Sequence, residues 1–169
     1  PRDYFIATGH GESDITIHAG SYHLALRQAG IEMCNIMTYS SILPAIAKEI
    51  KRPEKLTHGS VMETIMAAAS VVKGETATAG ISYGWLHHRE SDEKYGGLVC
   101  EYNGNKSKSE VEVQLQESIN ELYTNGYSEM YTLKNITTII DSFTPQKKYG
   151  TAIVALCFVN YLFPQFAYS

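Results

Sequence analysis

Apolar and polar positions alternate with a period of two along most of this chain, and with a helical period in only two stretches. "DYFIAT" (3–8) reads as a first strand, and a polar, glycine-rich loop follows to Gly20. Ser21 is placed to cap a short helix over "YHLALRQA" (22–29), whose apolar stripe is Tyr22, Ala25, Leu26 and Ala29 and which Gly30 stops. Residues 31–39 alternate as a strand. Ile31, Met33, Asn35 and Met37 face one way, so Asn35 is a polar misfit that needs hydrogen-bond partners if buried. A charged connection, "KEIKRPEK" (48–55), leads to strand-like "GSVMETIMAAASVV" (59–72), the turn "KGET" (73–76) and the strand "TATAGISYGW" (76–85). "HHRESDEKYGG" (87–97) reads as a loop and "LVCEYNG" (98–104) as a short strand carrying Glu101. The period then changes: Val111, Leu115, Ile119 and Leu122 recur at helical spacing, behind a capping box at Ser109 and Glu112, until Gly126. "TLKNITTIIDSFTP" and "YGTAIVALCFVNY" close the chain as two strands rich in β-branched residues.

About seven strands with two helices are too few helices for alternating βαβ units. The expected fold is α+β, a single domain over 1–169, with mainly antiparallel sheets forming a sandwich covered by helices in an αββα-like order. A length of 169 residues suits one domain with a full core.

Composition narrows the function classes. With 44% hydrophobic and 19% charged residues the chain reads as soluble and globular, and its net charge of −4 argues against a nucleic-acid partner. The longest apolar run, Thr151 to Val159, is too short to cross a bilayer, so no membrane partner is expected. "PRDYFIATGHGES" has neither the charged nor the apolar region of a signal peptide. Three widely spaced cysteines, Cys34, Cys100 and Cys157, suit reduced thiols in a cytoplasmic protein. No histidine or cysteine spacing suits a metal: His10, His18 and His23 are not at ligand intervals, and His87 and His88 fall in the polar loop. "GHGESD" lacks the third glycine of a dinucleotide fingerprint and reads as a turn. No GxSxG elbow surrounds Ser40 or Ser41, which disfavours a serine hydrolase.

The adjacent serines in "NIMTYSSILP" (35–44) stand at a strand end, or form a bond that the protein cuts in itself. Together with "ALRQAGIEMCNIMTYSSILP", "HGSVMETIMA", "KGETATAGISYG", "GGLVCEYNG" and "KKYGTAIVALCFVNY", this stretch resembles the pyruvoyl-dependent arginine decarboxylases of archaea and chlamydiae, over residues 5–162. The bacterial, chlamydial-type members look closer. The most specific part is Asn35-x4-Ser40-Ser41-x2-Pro44.

The resemblance implies self-cleavage between Ser40 and Ser41, giving chains 1–40 and 41–169. The Ser41 hydroxyl attacks the Ser40 carbonyl, the resulting ester eliminates, and the dehydroalanine left at 41 hydrates, loses ammonia and becomes a pyruvoyl group. Asn35 matches the family's oxyanion donor and Glu101 the acid that protonates the substrate's α-carbon after carbon dioxide leaves. The implied reaction is L-arginine to agmatine, within polyamine metabolism. Leu26 and Ile42 match apolar pocket positions. His23 stands where the family carries the aspartate that pairs with guanidinium, and Glu32, or Glu12 or Asp14 from the preceding loop, is left to supply a carboxylate. Two alternatives follow: the same chemistry on another amino acid, or an unprocessed, non-catalytic oligomer on the same fold. The family's assembly implies a homotrimer, or two stacked trimers, with Ser41 near Glu101 of an adjacent chain.

Overall fold

A computed structural model describes residues 1–162. The order is β1 (Asp3–Ser13), a wide π-helical turn (Ile17–Tyr22), α1 (His23–Ala29), β2 (Asn35–Thr38), β3 (Ile42–Pro44), β4 (Lys48–Glu49), β5 (Val61–Val72), β6 (Ala77–His88), β7 (Lys94–Gly104), α2 (Lys108–Gly126), β8 (Tyr131–Phe143) and β9 (Tyr149–Asn160). They build two sheets, ordered β2-β5-β9-β1-β4 and β3-β7-β6-β8. All pairings are antiparallel except β1 with β4 and β2 with β5. The expected class, α+β with mainly antiparallel sheet, is what the chain adopts.

The two-residue period sorts side chains between faces. On β9, Ala152, Val154, Leu156 and Phe158 join the core that also holds Ile65, Ala67 and Ala69 of β5 and Ala79, Ile81 and Tyr83 of β6, so residues of both sheets share one cluster. The intervening Ile153, Ala155 and Cys157 pack with Ala25, Leu26 and Ala29 of α1. Ile119 of α2 packs with Leu86, Leu98 and Tyr131 of the second sheet.

Several boundaries differ from those expected, each for a physical reason. The "GHGES" stretch, read as a turn, continues β1 through Ser13. Gly9 and Gly11 are there because α1 crosses the strand closely: a β-carbon at Gly11 would lie 2.6 Å from the Ala25 nitrogen and from the Leu24 β-carbon. Ser21 does not cap α1. It is fully buried in the π-helical turn, where its hydroxyl meets Thr151 at 2.8 Å. Gly30 does end α1, at φ 73°. The strand expected over 31–39 shrinks to Asn35–Thr38, and β7 begins at Lys94 rather than 98. His87 and His88 end β6 instead of sitting in a loop. The capping box on α2 is formed by Ser107 and Glu110, two residues before the expected pair. All three cysteines are free thiols.

The close approach of α1 to β1 makes a prediction. Gly11→Ala should destabilise the protein by about 1–3 kcal/mol through overpacking. Gly126→Ala, where nothing lies within 4 Å, should be neutral or stabilising by up to about 1 kcal/mol. Urea unfolding midpoints of the two variants decide this; equal midpoints would remove the reason given for Gly11.

Candidate active site

The segment Tyr39–Ser41 joins two edge strands of different sheets: β2 ends the first sheet and β3 ends the second. Each side of the crossing is anchored. On the first sheet, the Tyr39 N–H donates to the Thr64 carbonyl at 2.6 Å, its ring packs 5.5 Å from that of Phe158, and its hydroxyl donates to Glu63. Burial, and then Glu63, pushes the Tyr39 hydroxyl up to about 12, so it remains a donor at neutral pH. On the second sheet, the Val99 N–H donates to the Ser41 carbonyl at 3.2 Å, Ile42 pairs with Leu98, and Leu43 is wholly buried. Ser40, between the anchors, is exposed and Ser41 half-buried.

The Ser41 hydroxyl meets the Glu101 carboxylate at 2.8 and 2.6 Å, donating to its oxygens. β7 carries Glu101, whose neighbour Cys100 points to the other face and packs near the α2 cluster. Burial, with a smaller contribution from Glu101, raises the Cys100 thiol above its ordinary value. The Ser40 carbonyl accepts the Ile42 N–H at 3.1 Å, closing a tight turn centred on Ser41. Ser41 and Glu101 thus meet within one chain, whereas the resemblance implied a Glu101 from an adjacent chain.

The other candidates gather elsewhere. His23, Leu26, Glu32 and Asn35 line a cavity of about 380 Å³ with His18, Ala19, Tyr22, Cys34 and Ile36; neither Ser41, Ile42 nor Glu101 lines it. Asn35 is exposed rather than buried, and its amide donates to the Gly59 carbonyl at 2.8 Å. The chain remains paired to β5 from Asn35 to Tyr39. Four strand steps of about 3.3 Å carry it some 13 Å from Asn35, beyond the reach of that side chain to its own Ser40 carbonyl. Glu12 and Asp14 are not at the cavity: their carboxylates accept the N–H groups of Gln146, Lys147 and Lys148. Ile42 is 65% exposed at the sheet edge. A depression of about 670 Å³ along α2 between Lys106 and Glu117 contains none of these residues. No cluster of three or more potential metal ligands exists among the described residues, and none of their helices is long and apolar enough to cross a membrane.

The family model for pyruvoyl-dependent arginine decarboxylase matches residues 3–163. The chain belongs to the pyruvoyl-dependent arginine decarboxylase family. Among its relatives, the pyruvoyl-dependent arginine decarboxylase AaxB of Chlamydia abortus is 31% identical, over 95% of this chain and 92% of its own length. The pyruvoyl-dependent arginine decarboxylases of Methanococcus vannielii and Methanocaldococcus jannaschii are each 33% identical over 69% of this chain, covering 68% and 67% of their own lengths. This is a family of carboxy-lyases with a covalently held pyruvoyl group. The short contact between Ser41 and Glu101 fits such a group at 41, because it sets a serine hydroxyl on the C-terminal side of an exposed residue and bonds it to a carboxylate. The Ile42 N–H on the Ser40 carbonyl and the Tyr39 anchor carried no signal in the sequence, since both depend on which strands lie at the sheet edges.

Cys100 reports on the charge of Glu101. In Glu101→Gln the carboxylate's contribution is lost, the Cys100 thiol falls toward its ordinary value, and more thiolate is present at pH 8. Alkylation of Cys100 by iodoacetamide, followed by mass, should be faster in the variant. Cys157, whose thiol burial pushes up to about 12, should resist labelling in both. Slower or unchanged labelling of Cys100 would contradict the electrostatic link.

Proposed function

We propose that this chain cuts itself between Ser40 and Ser41 and, with the pyruvoyl group that results at 41, decarboxylates L-arginine to agmatine. The observation that carries the reading is the Ser41 hydroxyl 2.6 Å from Glu101, on a peptide held from both sheets. The Ser41 oxygen attacks the Ser40 carbonyl and the nitrogen departs, leaving an ester. Elimination, with loss of the Cα proton of residue 41, then releases the carboxylate of the 1–40 chain and leaves dehydroalanine, which takes up water and loses ammonia to give the pyruvoyl group. The Ile42 N–H already on the Ser40 carbonyl polarises it at the start of the attack. The pyruvoyl group supplies the electron sink for loss of carbon dioxide. Glu101, beside residue 41, then delivers a proton to the substrate's α-carbon in place of the departed carbon dioxide. The names of the family and of the relatives support the substrate.

The working site in this reading is shared between chains. Ser41 and Glu101 come from one chain, while the cavity with Asn35, His23, Leu26 and Glu32 comes from its neighbour in a homotrimer or a dimer of trimers. Two observations support that division: Ser41 and Glu101 do not line the cavity, and Asn35 lies too far along β2 to reach its own Ser40. Exposed Met37 on β2 and Ile42 on β3 give these two edge strands apolar surface for a neighbour. The sharing of one core between the sheets, with a helix packed beyond each, supports the αββα stacking that would present both edges on one side.

Carbon dioxide release from a panel of amino acids tests the reaction. The parent should favour arginine, and Ser41→Ala should remain one uncut, inactive chain. Glu101→Gln should be cut but turn over slowly. Asn35→Ala should be cut more slowly, by a barrier increase of about 3 kcal/mol if its amide holds the oxyanion. Co-assembled Asn35→Ala and Glu101→Gln chains should regain activity that neither has alone, because some shared sites then combine two intact halves. Mixed assemblies no more active than the separate variants would contradict the shared site, and a parent that stays in one piece would favour the unprocessed, non-catalytic alternative.

A further inference from the structure

Glu63 and Thr64, adjacent on β5, hold Tyr39 by two different groups. The Thr64 carbonyl accepts the Tyr39 N–H at 2.6 Å, and the Glu63 carboxylate accepts the Tyr39 hydroxyl. Glu63 is half-buried and takes part in none of the ion pairs among the described residues. A carboxylate in that position needs donors, and phenols supply them. Burial, and then a hydrogen bond with Glu63, raises the Tyr161 hydroxyl above its ordinary value, as they do for Tyr39. Phe158 of β9 is the register partner of Glu63, and its ring packs 5.5 Å from that of Tyr39. Tyr39 is thus fixed at its backbone, its ring and its hydroxyl. The next residue, Ser40, is exposed.

We propose that Glu63 is a positioning residue for the self-cleavage: through the Tyr39 hydroxyl it fixes the chain entering Ser40, and with it the aim of the Ser40 carbonyl toward the Ser41 hydroxyl. The proposal rests on the self-cleaving reading above and gives it a residue that acts through another. In the step that Glu63 prepares, the Ser41 oxygen bonds to the Ser40 carbonyl carbon, the carbon–nitrogen bond breaks, and the hydroxyl proton ends on the freed nitrogen. A misplacement of about 1 Å can cost on the order of 100-fold in a step between positioned groups. With the ring seated on Phe158 and its hydroxyl held, residue 39 has little freedom to turn. Without the carboxylate the ring can swing, and the carbonyl one residue on loses its aim.

The rate of cutting tests this. Chains made by cell-free translation are timed from synthesis, and the uncut, 1–40 and 41–169 chains are resolved by mass. Tyr39→Phe keeps the ring on Phe158 and should slow the cut about 10-fold, the scale of one hydrogen bond to a charged group. Glu63→Met keeps the length, removes the acceptor and should slow the cut by a similar factor. The double variant should be no slower than either, since both changes break one bond. Glu63→Gln keeps an acceptor oxygen and should recover most of the parent rate. Urea midpoints of the same variants, each carrying Ser41→Ala to prevent cutting, report stability separately. Cutting at the parent rate in Tyr39→Phe and Glu63→Met would overturn the proposal, whatever their midpoints. So would losses that multiply in the double variant, or Glu63→Gln cut as slowly as Glu63→Met. Should Glu63→Met not fold, Tyr39→Phe decides by the same rule. A parent that is never cut would sink the self-cleaving reading itself; a parent that is cut no faster than its variants would sink the role of Glu63 alone.

Discussion

The crossing from β2 to β3 is the constraint on which the rest of the site depends. One short segment must leave the edge of one sheet, reach the edge of the other, and present the Ser41 hydroxyl to Glu101 at 2.6 Å. Both ends are fixed by backbone ladders and buried anchors, Tyr39 with Phe158 on one side and Leu43 on the other. The bond between Ser40 and Ser41 is therefore held within a rigid frame while Ser40 itself remains exposed. Positioning of this kind is what the proposed attack of Ser41 on the preceding peptide needs. The two sheets are also joined through the shared core, so their relation does not rest on that peptide alone.

The same topology keeps the two groups of candidate residues apart within one chain. β2 and its cavity belong to the first sheet, packed against α1, and the Ser41 and Glu101 pair belongs to the edge of the second. Parallel pairing of β2 with β5 fixes Asn35 about four strand steps before Tyr39. A short strand cannot fold back on itself without breaking that ladder. A second copy of the chain supplies the missing half in the proposed assembly, against the two sheet edges that carry exposed Met37 and Ile42.

Much of this was legible in the sequence where one local rule acted alone. The two-residue period of β5, β6 and β9, the Gly30 stop and the helical spacing of Val111, Leu115 and Ile119 all correspond to elements of the fold. Reading failed where a tertiary contact overrode a local signal. Glycines 9 and 11 signal a turn by themselves, yet they lie in a strand because a helix backbone passes over them. Two overlapping Ser-x-x-Glu patterns compete at the start of α2, and only the hydrogen bonds of Ser107 and Glu110 select between them. At the candidate site the family's motifs single out Ser41 and Glu101, and their contact depends on the pairing of β3 with β7, which the sequence does not show. Glu12 and Asp14 have the right chemistry for a cation and the wrong location, which only the β9 contacts reveal.

The central claim is that residue 41 becomes a carbonyl by cutting its own chain. Intact mass before and after reductive amination with agmatine and cyanoborohydride measures this directly. The account predicts two chains, 1–40 and 41–169, with only the longer one gaining the mass of the reduced adduct. A single uncut chain, or a 41–169 chain that begins with an ordinary serine and gains nothing, would contradict it.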